Sequence, residues 1–277
     1  DELWLELGEF FEGRNEARQS IACYERGLQF NEKSSKVLYA LGKAFDLIKK
    51  YLQAIECYKK LLQVTPNNVE ILNRLANSYR SAEGYKTALQ MYEKALNIDS
   101  KNQETLNNIG INYNLMKEYD KAISYFDKVL SINPANDEAL NNIGEVYLSQ
   151  KKYTEAVNYY NKALKINPKN ILVLNNLGKV HYLKKELNNA LAVYQSVVEI
   201  NSNSYDTWIN MADIYSIKNK YAEAVGCYGK AVTLRMDEPE LWSKMGKAYE
   251  KLHKFDKADE CEAKYKELTG SGKSKEK

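Results

Sequence analysis

The chain repeats itself every 34 residues from one end to the other, with no insertion to break the register. Trp4, Leu38, Leu72, Leu106, Leu140, Leu174, Trp208 and Trp242 form one column of the repeat. Four residues further on stand Gly8, Gly42, Ala76, Gly110, Gly144, Gly178, Ala212 and Gly246. A register held this strictly restricts the chain to an array in which each unit packs on its neighbours. Such an array has no single core in which to enclose an active site. Function is then sought on the surface that stacked units share.

With Asp1 as position 1, positions 4, 7, 8 and 11 are large, large, small and aromatic, which is one face of an α-helix. A second helix follows, with 17, 20, 21, 24 and 28 as its apolar stripe; in the fifth unit these are Tyr153, Ala156, Val157, Tyr160 and Leu164. Glycine inside a helix costs about 1 kcal/mol against alanine. Its recurrence at position 8 predicts close approach of the two helices, with the aromatic at 24 filling against it. Asn133-Pro134 and Asn167-Pro168 end second helices, because proline cannot continue them. Asp120, Thr154, Asn188 and Asp256, at position 18, are the expected N-caps of the second helices.

The period and the pattern W-x-x-L-G-x-x-Y, A-x-x-x-F/Y, P resemble the tetratricopeptide repeat family over essentially the whole chain. The resemblance implies an all-α protein, an α-solenoid forming a right-handed superhelix of eight 34-residue helix-turn-helix repeats. Their bounds would be 1–34, 35–68, 69–102, 103–136, 137–170, 171–204, 205–238 and 239–268. Paired antiparallel helices would stack with the first helices lining the concave face. Asp259, Glu262 and Lys266 make the last helix polar, as a terminal cap requires. Residues 269–277 are expected to be a disordered polar tail. The first repeat has no comparable cap and keeps Trp4, Phe10 and Phe11. It is expected to meet upstream repeats or a second copy of the chain.

Forty basic and 37 acidic residues leave a formal net charge of +3, which argues against a nucleic-acid partner. No run of about 18 apolar residues is present to span a membrane. All four cysteines, Cys23, Cys57, Cys227 and Cys261, fall at position 23. Equivalent positions in stacked helices lie about 10 Å apart, beyond the ~7 Å reach of a disulfide. Reduced thiols fit a cytoplasmic location. No Cys/His pair, metal-ligand spacing or glycine-rich phosphate loop occurs, so no catalytic residue, metal or cofactor is expected. His181 occupies the aromatic position 11 and reads as packed core; His253 falls in the turn between helices.

Position 6 carries the strongest functional signal. Down the array it reads Glu6, Ala40, Arg74, Asn108, Asn142, Asn176, Asn210, Lys244. Asparagine is a poor helix former, so propensity does not account for it. Its carboxamide matches the donors and acceptors of a peptide backbone. Asn73, Asn107, Asn141 and Asn175 at position 5 and Asn77 at position 9 extend the same surface. Four asparagines at helix spacing span about 30 Å, the length of about nine residues of extended peptide. The pattern is similar to the asparagine ladder in the repeat arm of O-linked N-acetylglucosamine transferase. That resemblance implies that Asn108, Asn142, Asn176 and Asn210 grip an extended peptide by its backbone, with Arg74 and Lys244 bounding the grip. The alternative is that these side chains hydrate the groove or bond to neighbouring loops. A clamp for a terminal carboxylate, as in chaperone-binding repeats, is not expected, since no three consecutive repeats supply its cations. Groove-side positions sum to a charge of −5, which favours a neutral to basic extended segment as partner. Tyr39, Tyr182 and Tyr205 are groove-side candidates for ligand contact. The chain is thus expected to be a non-catalytic interaction scaffold. The substrate-recruiting arm of a larger enzyme, such as a protein glycosyltransferase, and a self-assembling structural scaffold stand as alternatives.

Overall fold

The computed structural model describes residues 1–270, and among these every regular element is an α-helix. Two compact units can be recognised, Asp1–Val146 and Tyr147 onward. The first contains α1 (Glu2–Gly13), α2 (Ala17–Phe30), α3 (Ser35–Leu47), α4 (Tyr51–Val64), α5 (Val69–Ser81), α6 (Tyr85–Ile98), α7 (Gln103–Leu115) and α8 (Tyr119–Ile132). α9 (Asp137–Ser149) runs through the junction. The second unit continues with α10 (Tyr153–Ile166), α11 (Ile171–Leu183), α12 (Leu187–Ile200), α13 (Tyr205–Ile217), α14 (Tyr221–Leu234), α15 (Pro239–Lys251) and α16 (Phe255–Thr269). Within each unit an odd-numbered helix packs on the even-numbered helix that follows, and that pair on the next, which makes the chain an α-solenoid.

The small residue at position 8 is explained by the ring at position 24. A Cβ built on Gly42 would lie 2.6 Å from the Tyr58 ring, on Gly110 2.5 Å from Phe126, and on Gly178 2.5 Å from Tyr194. Tyr58, Phe126 and Tyr194 are themselves buried. The helices of a pair therefore approach until the ring of one rests on the backbone of the other. The buried clusters follow from this. In the first unit Tyr24, Leu38, Phe45, Ile55 and Tyr58 pack together, and in the second Tyr194, Met211, Ile214, Tyr228 and Met245.

The turn within each pair has one solution throughout. Position 15 adopts the left-handed conformation in Asn15, Lys49, Glu83, Lys117, Lys151, Lys185, Asn219 and His253, with φ between 56° and 62°. Around Lys117, Glu118 N–H donates to Tyr113 O (2.9 Å) and Lys117 N–H to Asn114 O (2.9 Å), the two bonds of a Schellman ending. Glu118 O then accepts the first bond of α8, from Ala122 N–H (3.0 Å). One residue closes one helix and opens the next.

This corrects the expected N-caps. Glu118, Lys152, Glu186 and Lys254 hold the cap position, without a side-chain cap bond, and Asp120, Thr154, Asn188 and Asp256 lie inside the first turn. Side-chain capping occurs instead at the first helices. Asn68 accepts from Ile71 N–H, Asn102 from Thr105 N–H, Asn136 from Ala139 N–H and Asn170 from Val173 N–H.

The four cysteines are buried and unpaired. Burial pushes the thiols of Cys57 and Cys227 up to about 11, which leaves them protonated and unreactive at neutral pH. On α16 only Ala258 and Cys261 are buried, and the remaining surface is mostly polar, with Phe255 and Leu268 exposed at its two ends. α1 exposes Leu3, Leu7 and Phe10. Of the tail expected over 269–277, Thr269 still belongs to α16 and residues 271–277 lie outside the described residues.

Candidate peptide-binding surface

In the first unit the asparagines at positions 5 and 6 are wired to one another and to neighbouring repeats. Asn73 Oδ1 accepts from Thr105 Oγ1 on α7 (2.9 Å). Asn107 Nδ2 donates to Glu138 Oε1 on α9 (2.7 Å), and Asn107 Oδ1 accepts from Asn142 Nδ2 (2.9 Å). Asn142 Oδ1 in turn accepts from Asn141 Nδ2 (3.3 Å). Asn108 Oδ1 accepts from Arg80 Nη1 (3.2 Å), which also reaches the Asn108 carbonyl (3.3 Å). All five asparagines are buried, Asn142 to 7 % exposure and Asn108 to 9 %. Asn77 Oδ1 accepts from Tyr92 Oη (2.6 Å). Arg74 pairs with Glu70 (3.2 Å) and lies over the Tyr39 ring, 4.9 Å from its centroid. The Tyr39 hydroxyl donates to Glu70. That bond and Arg74 hold the Glu70 carboxyl below its usual range, against the effect of burial.

The second unit is more open. Asn175 Oδ1 accepts from Thr207 Oγ1 on α13 (3.1 Å), the same link between repeats as Asn73 to Thr105. Asn176 is half-buried and Asn210 exposed. Lys244 on α15 pairs with Asp213 Oδ2 on α13 (2.7 Å). A cleft of about 530 Å³ lies between α11 and α13. Asn175, Asn176, Asn210, Lys179, Tyr182 and Tyr194 line it, together with Asp206 and Asp213. Tyr205 is not among its lining residues; the Arg235 guanidinium stands 4.4 Å from its ring centroid. His181 is half-buried, as its column implies, with Nδ1 2.6 Å from Glu186 Oε2. Lys184 and then His181 draw the Glu186 carboxyl down to about 2.

One recurrent contact has no counterpart in the apolar pattern. The position-24 tyrosine sends its hydroxyl through to the first helix of its own repeat. Tyr24 donates to Glu12 (3.0 Å), Tyr58 to Asp46 (3.0 Å), Tyr92 to Asn77 (2.6 Å) and Tyr228 to Asp213 (2.6 Å). The choice of tyrosine over phenylalanine in that column was its sequence signal. Asp46 also accepts from Ser78 on the next repeat (2.7 Å); burial raises its carboxyl above the usual range against those donors. Among the described residues no cluster of three or more His, Cys, Asp or Glu is placed to hold a metal ion. No helix among them is long and apolar enough to cross a membrane.

Tetratricopeptide repeat models match residues 35–68, 68–135, 102–169 and 137–203, and a TPR repeat model matches residues 212–252. No curated protein matches the chain in sequence. Among solved structures, a tetratricopeptide repeat protein from Parabacteroides merdae aligns with a TM-score of 0.67 and 17 % identity, over 89 % of this chain and 98 % of that one. The MamA protein aligns with a TM-score of 0.56 and 20 % identity, over 63 % of this chain and 96 % of its own. YrrB, described as a TPR protein with an unusual peptide-binding site, aligns with a TM-score of 0.53 and 20 % identity, over 65 % and 93 %. At such identities the likeness is one of fold.

Proposed function

The chain belongs to the tetratricopeptide repeat family, and we propose that it is a non-catalytic scaffold whose first helices hold an extended segment of a partner protein by its backbone. The observation that carries this reading is the cleft between α11 and α13. There the carboxamides of Asn175, Asn176 and Asn210 line one opening, and Asn210 is exposed. A carboxamide offers both a donor and an acceptor, which is what a peptide unit needs. In the first unit, as at Asn175 with Thr207, the equivalent carboxamides are already partly engaged. Asn108 there keeps Nδ2 for a guest carbonyl, while Asn142 is bonded through both its nitrogen and its oxygen. Asn73, Asn107 and Asn141 hold the surface in shape. Arg74 and Lys244 are engaged by Glu70 and Asp213 and meet a guest only as paired charges.

Random nonapeptides displayed between constant Gly-Ser flanks provide the test. Peptides recovered on the wild-type protein are remeasured by fluorescence anisotropy on Asn176→Ala/Asn210→Ala. Two lost backbone bonds at about 1 kcal/mol each weaken unrelated peptides alike, by roughly 10- to 30-fold. Unchanged affinity refutes backbone gripping. Loss confined to one class of sequence refutes it equally.

A second reading, self-association, draws on the exposed Leu3, Leu7 and Phe10 of α1. Its check is sedimentation of Leu3→Ser/Phe10→Ser beside the wild type. A wild type that stays monomeric at every concentration ends it.

A further inference from the structure

Tyr194 departs from the four tyrosine hydroxyls described above. Tyr194 belongs to the same column and is buried to 3 % exposure, yet its hydroxyl donates to no protein acceptor and lines the cleft between α11 and α13. In its repeat the positions that elsewhere supply Glu12, Asp46, Asn77 or Asp213 hold Lys179 and Tyr182. Burial pushes the Tyr194 hydroxyl up to about 12, so it keeps its proton and stays a donor.

The next repeat shows what is missing. There the Asp213 carboxylate sits between the Tyr228 hydroxyl (2.6 Å) and the Lys244 ammonium (2.7 Å). In the preceding repeat the hydroxyl is present as Tyr194 and an ammonium as Lys179, and no carboxylate among the described residues is bonded to either. We propose that the cleft receives an acidic side chain, an aspartate or glutamate of the bound polypeptide, between Lys179 and Tyr194. This rests on the polypeptide-binding reading above.

The other charges on the wall leave that place open. Asp213 lines the cleft but is committed to Tyr228 and Lys244. Asp206 stands nearer the start of α13. Thr207 of that helix reaches Asn175, and Lys244 of α15 reaches Asp213, so neighbouring first helices run in the same direction with an offset of a few residues. That offset sets Lys179 level with Asn210, four residues beyond Asp206, or about 6 Å along the axis at 1.5 Å per residue. An incoming carboxylate then meets the ammonium and the hydroxyl, with the Asn210 and Asn176 carboxamides beside it for the adjoining backbone. An overall neutral or basic segment is compatible with one acidic residue at this point.

The same displayed nonapeptides decide the matter, since their constant flanks leave no terminal carboxylate. On the wild type, Asp or Glu is enriched at one fixed position. On Lys179→Gln the enrichment disappears, and on Lys179→Glu it changes to Lys or Arg. In a recovered peptide, replacing the acidic residue by its amide weakens binding about tenfold on the wild type. The same replacement has no effect on Lys179→Gln/Tyr194→Phe. Tyr194→Phe removes a hydroxyl that no protein group uses, so the variant is expected to fold as the wild type does, which circular dichroism confirms or denies. Recovered peptides without an acidic position overturn the proposal and leave the polypeptide reading standing. Recovery of nothing above a blank surface overturns both. A preference seen only in a parallel library with a free carboxyl terminus overturns the side-chain assignment.

Discussion

The pair Asn107 and Asn142 tests whether a ladder residue is architecture. Asn107→Ala removes the bond to Glu138 and the bond from Asn142 Nδ2. Glu138 is exposed and recovers water, whereas Asn142 Nδ2 is stranded in a site with 7 % exposure. A net loss of about 1 kcal/mol per bond, plus the penalty of a stranded buried donor, amounts to about 2–3 kcal/mol. Asn142→Ala strands Asn107 Oδ1 and removes the bond from Asn141 Nδ2, for a similar cost. The double variant strands neither end of the shared bond. It is expected to lose about 1–2 kcal/mol less than the two singles added together. Neighbour-by-neighbour stability in a repeat array confines the effect to α7 and α9. Amide hydrogen exchange resolved by helix is therefore the assay, since one global transition need not describe such a chain. Asn210→Ala is the control. Its side chain is exposed, and the change is expected within about 0.5 kcal/mol of the wild type. Additive singles, or an Asn142→Ala protein as protected as the wild type, would refute the wiring.

Three further outcomes follow from the packing, the turns and the charges. Gly110→Ala forces a methyl to within 2.5 Å of the Phe126 ring, and overpacking of about 1–3 kcal/mol outweighs a helix gain of about 1 kcal/mol. Gly226→Ala meets nothing within 4 Å, so thermal melts should move in opposite directions for the two variants, and a shared direction defeats the argument. Lys151 holds φ at 60°; Lys151→Gly relieves about 1–2 kcal/mol against about 0.5–1 kcal/mol of added unfolded-state entropy, and a lower denaturation midpoint would contradict it. Glu186 is drawn from 4.5 to about 2 by Lys184 and His181. Because the folded value is the lower one, its contribution is present above about pH 4.5 and is lost as the pH falls through about 2. An NMR titration of the Glu186 carboxyl should show this, with Lys184→Gln raising the midpoint; a wild-type midpoint near 4.5 would count against the pairing.

The packing columns could be read from sequence because each is a contact between two fixed positions of one repeat. Glycine at 8 and an aromatic at 24 meet in Gly42–Tyr58 and Gly110–Phe126 as the pattern requires. The second-helix caps could not be read in the same way. Position 18 carries capping residues, but the turn closes two residues earlier, on a residue shared by both helices. The usual glycine signal for that turn is absent, because lysine occupies the left-handed site four times. The asparagine column was visible, while the unequal standing of its members was not. Asn108 is held by Arg80, Asn142 by Asn107, and Asn210 is exposed. What separates them lies in other columns one repeat away. A column read by itself cannot show a bond between position 6 of one unit and position 5 or 12 of another.

The tyrosine hydroxyl that crosses from the second helix gives the array a vocabulary one oxygen atom wide. Where the repeat provides its own acceptor, as with Tyr228 and Asp213, the word is already spoken inside the protein. Where the column holds Phe126 there is no word at all. Tyr194 leaves a sentence for a visitor to complete. Exchanging acceptor for cation at position 9, or tyrosine for phenylalanine at position 24, would move that unfinished phrase along the chain while the fold stays the same. Repeats of one shape can in this way be edited to different readings, one atom at a time.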